Sequence, residues 1–587
     1  MAVSEPIRNV AARWMDLDRD EDTRQQIVNL LEAGDDVELE KRLRKRIAFG
    51  TAGLRSSMKA GFAHMNAVTV LQASQGLADH LINYHQPVQE WKLSVVIGYD
   101  ARHQSEKFAR LAAGAFLAKG LRVLWFGELV HTPLVPFSVS RFNAAAGIMV
   151  TASHNPKADN GYKVYWENGC QIIPPHDSAI AAAITASEQE QILSWDEHAV
   201  DESSHVHNVH LAARSQYFDS LVRLLPPLQQ GEADPVRFVY TPLHGVGLPF
   251  MQQAVDNLRL PSQTMHVVAA QAQPNAEFPT VPFPNPEEKD ALDLAIQEAE
   301  TSGVSVILAN DPDADRFAAA ERLNSGSWHQ FTGNQMGILL ALYVLEISEQ
   351  PREKVVMLAS AVSSRMLAAV AAKEGFAYRE TLTGFKWLGN VAQLAAREGL
   401  TPVFAFEEAI GYMFADLVWD KDGIAAATVF LLACRSWRQQ GLTPWLKLQQ
   451  LYGKYGYFAD ANTYLISPSP DVTNSTFAAI RAAKNDGPPS HVGKRRILRW
   501  RDLTLGVDSA SSDGKPDLPV DSAAQMITCW LEDNVVFTAR GSGTEPKIKL
   551  YIEASASDAG LAKAIADKVL HDLVNTWFHG LRLAGSG

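Results

Sequence analysis

The chain is poor in cysteine: Cys170, Cys434 and Cys529 are far apart, odd in number and in no Cys-x-x-Cys arrangement. A disulfide framework and a thiolate zinc site are therefore excluded, and a reducing cytoplasm fits best. Positive charge is also in deficit, with 53 Lys and Arg against 66 Asp and Glu and a formal net charge of −13. Nucleic acid and anionic membranes are bound chiefly through clustered cations, so neither is expected as a partner. An anionic ligand must instead meet a local basic pocket. No apolar stretch reaches the ~18 residues that a membrane span requires. The start, MAVSEPIRNVAARWMDLDRDED, lacks the basic lead and apolar core of a signal peptide. No G-x-x-x-x-G-K-[ST], no G-x-G-x-x-G after a strand and no G-x-S-x-G elbow occurs, which removes the usual nucleotide sites and the hydrolase nucleophile.

What is present is ordinary globular composition, 47% hydrophobic and 20% charged over 587 residues, enough at ~100–200 residues per domain for about four domains. Residues 6–48 are charged, with Ile27, Leu30, Leu31, Leu39, Leu43 and Ile47 at helical spacing, which predicts amphipathic helices that pack rather than react. From Leu93 short β-branched runs alternate with Ala- and Leu-rich helical stretches: KLSVVIGYD, EKFARLAAGAFLAKG, LRVLWFG, AAAGIMV. The alternation restarts with VRFVYTPLHGVG and again with KVVMLAS, predicting three α/β units in series. The polar stretch SEQEQILSWDEHAVDESSHVHNVH reads as a crossing between the first two. The last ~130 residues read as α+β with an antiparallel sheet and a closing helix near 558–577.

Four loops at strand ends carry the chemistry. TASHNPKADNGYK (residues 151–163) follows AAAGIMV. A serine there is ordinarily a turn or cap residue. Ser153, however, has His154 beside it, two Asn-led turns, and Lys157 and Lys163 for positive charge, a loop shaped to hold an anion against a hydroxyl. NDPDADR (residues 310–316) follows VSVILA. Asp311, Asp313 and Asp315 form either a solvated turn or a cation site, since like charges at this spacing repel unless a cation sits among them. Arg316 and Arg322 stand where an EF-hand needs Gly and Glu, so the hard ion favoured is Mg2+, with Arg316 beside a bound phosphoryl group.

FEEAIGY (residues 406–412) follows PVFAF, with WDKDG (residues 419–423) behind it. Glu407 and Glu408 are either exposed charge or acceptors for vicinal sugar hydroxyls, and Lys421 can assist a phosphate or a proton transfer. RGSGTEPK (residues 540–547) is either a plain hairpin or, as favoured, a phosphate cradle of Arg540, Ser542, Thr544 and Lys547, with Gly541 and Gly543 letting backbone N–H groups approach. Lesser motifs are GTAGLR, a plain loop or one that turns Arg55 toward the same anion, and TGFKWLGN, a helix start or a substrate-reading loop around Gly384. In TPLHGVG, His244 reads as structural. Each of the four loops lies in a different unit, so the simplest assembly gathers them round one cleft. Together they describe phosphoryl transfer to or from Ser153.

The motifs TASHNPK, DPDADR, FEEAIGY and RGSGTEPK, in this order, resemble those of the α-D-phosphohexomutases, the phosphoglucomutase/phosphomannomutase family. GTAGLR, PNPEE, GFKWLGN and KDG also fit, most like the phosphoglucomutase-2 and phosphopentomutase branch, over about residues 49–553. The resemblance implies an α/β fold: a heart-shaped four-domain enzyme, three similar α/β domains plus a C-terminal α+β domain around a central cleft. Here these would be 1–205 with the serine loop, 206–325 with the metal loop, 326–450 with the sugar-binding loop and 451–587 with the phosphate-binding loop.

Carried over by motif, the resemblance implies that Ser153 is the phosphoryl carrier and that Asp311, Asp313 and Asp315, with an oxygen of phosphorylated Ser153, bind Mg2+. Arg316, Gly384, Glu407 and Glu408 would meet the substrate, and Arg540, Ser542, Gly543, Thr544 and Lys547 the phosphate that is not reacting. Arg55, His154, Lys163 and Lys421 would steady the transferring group or move a proton. The implied reaction interconverts α-D-glucose 1-phosphate and glucose 6-phosphate through glucose 1,6-bisphosphate, which is also the activator. Ala409 stands where many glucose-specific members carry Ser or Thr, so pentose and mannose phosphates are the alternative substrates. A serine-dependent sugar phosphatase is the rival of another class. Small-molecule sugar phosphates are the expected partners of a cytoplasmic monomer or weak oligomer.

Overall fold

Strands of a sheet covered on both faces are continuous apolar runs, and the runs picked out above are such strands. The structure, a computed structural model, describes residues 6–48, 53–87, 93–187, 194–226, 236–483, 488–542 and 547–583. The chain divides into two compact units, residues 1–358 with 384–443, and residues 359–383 with 444–587. No described helix is long and apolar enough to cross a membrane.

In the first unit, β1 (Leu54–Ser57), β2 (Ser94–Tyr99), β3 (Arg122–Trp125), β4 (Ala146–Val150), β5 (Asp159–Trp166) and β6 (Val206–Asn208) form a sheet of order β1-β5-β4-β2-β3-β6. β2, β3, β4 and β6 are parallel, while β5 and β1 run antiparallel at one edge. The core sets Val95, Ile97 and Ile148 against Val70, Leu77 and Phe116 of the helices Ala67–Tyr84 and Ser105–Ala118. The polar stretch expected only to cross between domains also supplies β6, because Val206 pairs in parallel with Val123.

A second sheet joins β7 (Phe238–Thr241), β8 (Met265–Val267), β9 (Val306–Asn310), β10 (Phe317–Arg322) and β11 (Trp328–Gln330) in the order β11-β10-β9-β7-β8. Here β8, β7 and β9 are parallel, while β10 and β11 pair antiparallel at one edge. Residues 6–48 form the helices Ile7–Leu17, Glu21–Ala33 and Asp36–Leu43. Trp14, Ile27, Leu39 and Leu43 bury against Phe62, with the Trp14 ring edge-on at 4.9 Å. The side chains of Asp20 and Asp35 cap the second and third of these helices.

One device recurs: a buried strand, a short loop, and a return strand paired antiparallel to it. It joins β4 to β5, β9 to β10, and Thr401–Glu407 to Gly411–Met413. Each loop holds one non-glycine residue in the left-handed region, Ser153 (φ 53°), Ala314 (φ 52°) and Ile410 (φ 51°), a conformation that persists only where its surroundings fix it.

The second unit holds the predicted antiparallel sheet. Strands Arg495–Asp502, Met526–Leu531, Val535–Gly541 and Lys547–Ala556 pair in sequence. Trp500, Cys529, Phe537 and Ile552 bury one face against Ala566, Val569 and Leu573 of the closing helix Ala559–Thr576.

Candidate functional site

The serine loop is fixed before it is functional. As β4 ends, Thr151 donates its hydroxyl to Asp100 Oδ2 (2.6 Å) and accepts at that hydroxyl from the Ser153 N–H (2.9 Å). Asp100 directly follows β2, the parallel neighbour of β4, so both strand ends lie on one sheet edge. From the same edge Arg102 donates to the carbonyls of Ser153 (2.6 Å), Asn155 (2.5 Å), Pro156 (3.0 Å) and Asp159 (3.3 Å). Sequence reading passed over Arg102 and Asp100. The signal was the charged DARH (residues 100–103) directly after an apolar strand. Ser153, 1% exposed, then directs its hydroxyl to Asp311 Oδ2 at 2.7 Å, with His154 Nδ1 3.2 Å away.

The acidic loop reaches that hydroxyl from the second sheet. It is wedged in place: Tyr240 OH donates to Asn310 Oδ1 (2.8 Å), and Asn310 donates to the Arg316 carbonyl (2.6 Å). A Cβ on Gly245 would run into Pro312 and one on Gly423 into the Arg316 carbonyl, so both positions require glycine by close approach. Asp311, Asp313 and Asp315 are all fully buried. Asp313 Oδ2 accepts from Thr132 Oγ1 (2.6 Å) and Lys163 Nζ (2.7 Å), and Asp315 Oδ2 from Lys163 (2.8 Å) and Lys421 (3.0 Å). Thr132 is a third residue that sequence reading did not find, 181 positions from its partner.

Burial, with Asp313 and Asp315 nearby, pushes the Asp311 carboxyl well above the usual range. Burial acts on Asp313 and Asp315 as well, but Lys163, joined at Asp315 by Lys421, holds both below it. One ligand oxygen from each acid lies within 4.8 Å of the others. Asp313 Oδ1 and Asp315 Oδ1 are buried with no hydrogen-bond partner among the described residues. Orphaned buried carboxylate oxygens are unfavourable unless paired or bound to a cation, and an oxygen-only set suits a hard divalent ion. The trio therefore fits Mg2+.

Basic groups surround the serine. Arg55, on β1 opposite Gly161, donates to Asn155 Oδ1 (3.1 Å). The Nε atoms of Arg55 and Arg316 are buried without partners among the described residues. Burial, then the Arg316 charge, depresses Arg55. Burial, then Arg316 and Arg55, holds His154 well below the usual imidazole range, so its ring is neutral. Lys157, expected to add charge here, instead pairs with exposed Glu277 at 2.6 Å. Four positions from Ser153 by chain, Lys157 lies in the turn closed by the Asp159 N–H on the Pro156 carbonyl, and its side chain is exposed.

Glu407 closes the strand Thr401–Glu407 and accepts the Gly384 N–H at 2.5 Å. Burial, then Glu408, raises it to about 7. Glu408 follows in the turn. Lys421, 5.4 Å from the ring centroid of Phe385, spans from this neighbourhood to Asp315. Gly384 begins the helix Phe385–Arg397, so TGFKWLGN is a helix start whose first N–H serves the glutamate. His244, read as structural, bonds Thr280 Oγ1 at 2.8 Å.

In the second unit Arg540 Nη1 donates to Thr383 Oγ1 at 2.5 Å, the Ser542 N–H donates to the Lys547 carbonyl at 2.9 Å, and Lys547 Nζ stands 4.6 Å over Tyr464. Gly543 and Thr544 lie outside the described residues, as do residues 50–52 of GTAGLR.

Ser153, His154, Arg55, Lys163, Lys421, Arg316 and the aspartates are thus one connected group, with Glu407 and Gly384 beside it: a hydroxyl, a cation-fitting trio and paired guanidiniums. Comparison with known proteins agrees. Family models for phosphoglucomutase/phosphomannomutase alpha/beta/alpha domains I, II and III match residues 46–191, 215–324 and 332–455. Phosphoribomutase of Saccharomyces cerevisiae is 42% identical over 98% of this chain and 97% of its own. Human phosphopentomutase is 40% identical over 96% and 94%, and human glucose 1,6-bisphosphate synthase 38% over 96% and 92%. The chain belongs to the phosphoglucomutase/phosphomannomutase family of phosphosugar mutases, in the branch that holds the phosphopentomutases.

Proposed function

We propose that this enzyme interconverts pentose 1- and 5-phosphates, with ribose phosphate as the main substrate, by way of a phosphorylated Ser153. The observation that carries the mechanism is the 2.7 Å hydrogen bond from the Ser153 hydroxyl to Asp311, across 158 positions of chain. The glucose phosphate pair implied by the motifs alone is the second reading, supported by the relative named for glucose 1,6-bisphosphate. Support for pentose comes from the 42% and 40% identical relatives, named for ribose and pentose phosphates, and from Ala409, which offers no hydroxyl in the glutamate turn.

Asp311, Asp313 and Asp315 with one oxygen of Ser153 would hold Mg2+, which when bound neutralises charge on a phosphoryl oxygen. Everything else falls to the chain. Arg55 and Arg316 present unfilled N–H donors to the transferring group. The neutral imidazole of His154 takes the proton of the attacking sugar hydroxyl as the Ser153 O–P bond breaks and the sugar O–P bond forms, and a proton passes from its Nδ1 to the departing Ser153 oxygen 3.2 Å away. Lys163 and Lys421 keep Asp313 and Asp315 ionised. Glu407 and Glu408 orient the sugar hydroxyls, and Arg540, Ser542, Gly543, Thr544 and Lys547 hold the distal phosphate. The product of this half-reaction is a sugar bisphosphate, which reorients and returns its other phosphate to Ser153. Glucose 1,6-bisphosphate primes the serine.

The four-domain division at 205, 325 and 450, a reducing cytoplasmic location, no nucleic-acid or membrane partner and a monomer or weak oligomer belong to the same proposal. It draws support from the three matched family domains and from three buried, unpaired thiols. The test is side-by-side turnover of ribose 1-phosphate and glucose 1-phosphate with glucose 1,6-bisphosphate present. We expect kcat/KM at least ~10-fold higher for the pentose, and intact mass showing one phosphate adduct that Ser153→Ala lacks. Higher kcat/KM for glucose 1-phosphate overturns the substrate assignment. An adduct on Ser153→Ala overturns the mechanism, and free phosphate as the main product substitutes the phosphatase.

A further inference from the structure

The second unit contains a guanidinium with unused donors. Along the strand Arg495–Asp502, Trp500 enters the core, so Arg499 and Arg501 point to the opposite face. There Arg499 pairs with Trp530 and Arg501 with Thr528 of the neighbouring strand. Arg501 is 4% exposed. Its Nη1 donates to Glu380 at 2.5 Å, while its Nε and Nη2 are buried with no hydrogen-bond partner among the described residues. Those two atoms form the side-on fork of a guanidinium, the edge that matches two oxygens of one oxyanion.

The rim repeats the chemistry. Arg365, Arg499 and Arg501 lie 5.3, 4.2 and 5.0 Å from the ring centroid of Trp530. The side chains of Arg365 and Arg499 are 31% and 32% exposed, against 5% for Arg501. Glu380 is shared between Arg365 (3.3 Å) and Arg501, and Asp508 serves Arg499 (2.5 Å). Glu553 accepts from the Arg365 backbone N–H at 2.8 Å. Among the described residues no acid bonds the Arg501 fork.

We propose that Arg501, with Arg365 and Arg499 at its rim, is a second oxyanion site that takes the phosphate group of a small molecule. The Arg499 fork is filled by Asp508 through Nε (2.9 Å) and Nη2 (2.5 Å), so the Arg501 fork takes two oxygens, and a phosphate monoester, unlike a carboxylate, keeps a third for a rim guanidinium. Arg540 lies on the same sheet face, two strand spacings and one side-chain repeat away, about 12 Å between backbones, and its guanidinium bonds Thr383 where that of Arg501 bonds Glu380. An occupant would tie Arg365, at the start of the helix Met366–Glu374, to the sheet strand that carries Arg501.

The probe is labelled inorganic phosphate in equilibrium dialysis against the full chain. Wild type should bind one equivalent more than Arg501→Gln, and Arg499→Gln and Arg365→Gln should each weaken that increment by about 10-fold. The increment should persist in Arg540→Ala, which separates failure of this site from failure of the assignment at Arg540. Acetate at equal concentration should not displace it. Equal stoichiometry for wild type and Arg501→Gln overturns the site, as does an increment that vanishes with Arg540→Ala alone. If Arg501→Gln does not fold by circular dichroism, the two rim variants decide, and wild-type binding in both rejects the site.

Discussion

Glu407 shows how a single residue's surroundings set its chemistry. A carboxylate that accepts sugar hydroxyls must be ionised, yet burial, then Glu408, raises this one to about 7. The expected result is that kcat/KM falls as pH drops from 8 to 6, on a limb with apparent pKa near 7, because that ratio reports groups of the free enzyme. Glu407→Gln should flatten the limb and raise KM by about 10-fold. An unchanged acid limb in the variant would assign it to another group. The two lysines of TASHNPKADNGYK show the same dependence on place. Lys163, inside β5, meets two aspartates, whereas Lys157 meets exposed Glu277.

Among the elements, the strand-loop-return device places each functional residue at a strand end, but rigidity comes from neighbours. Arg102 donates to four carbonyls of the serine loop. Lysine keeps a charge beside Asp100 without a planar fork that reaches several acceptors. Arg102→Lys should therefore lower kcat by about 100-fold while KM moves less than threefold, the signature of a displaced nucleophile. Steady-state kinetics with intact mass checks this: the phosphoserine should still form, only slowly. A KM rise with kcat unchanged would place Arg102 in substrate binding instead. The strands, the closing helix and the residue 6–48 helices were legible because local periodicity dictates them. β6 was not, since its few polar residues are held only as an edge partner of β3.

At the scale of the whole molecule, buried carboxyls couple stability to pH. Glu553, in the second unit, is raised to about 7 by burial, above its ordinary 4.5. The folded state thus keeps a proton that the unfolded chain releases. The stabilising contribution is full below about pH 4.5 and is lost as pH rises through 7. Glu553→Gln has no such proton, so its Tm relative to wild type should rise between pH 5 and 8 in a thermal scan. Parallel curves would show that Glu553 ionises without penalty.

By itself, the sequence determined which loops carry chemistry. Strand endings, glycine and asparagine turns and the order of the motifs are local features, written within a dozen residues. It did not determine which charges meet. Ser153 and Asp311 are 158 positions apart, Lys163 and Asp315 are 152, and Thr132 and Asp313 are 181. Only packing of one sheet's strand ends against the other's selects Lys163 over Lys157, recruits Arg102 and Thr132, and leaves two buried carboxylate oxygens for a cation. Electrostatic pairing depends on separation in space, and folding, not chain order, sets that separation.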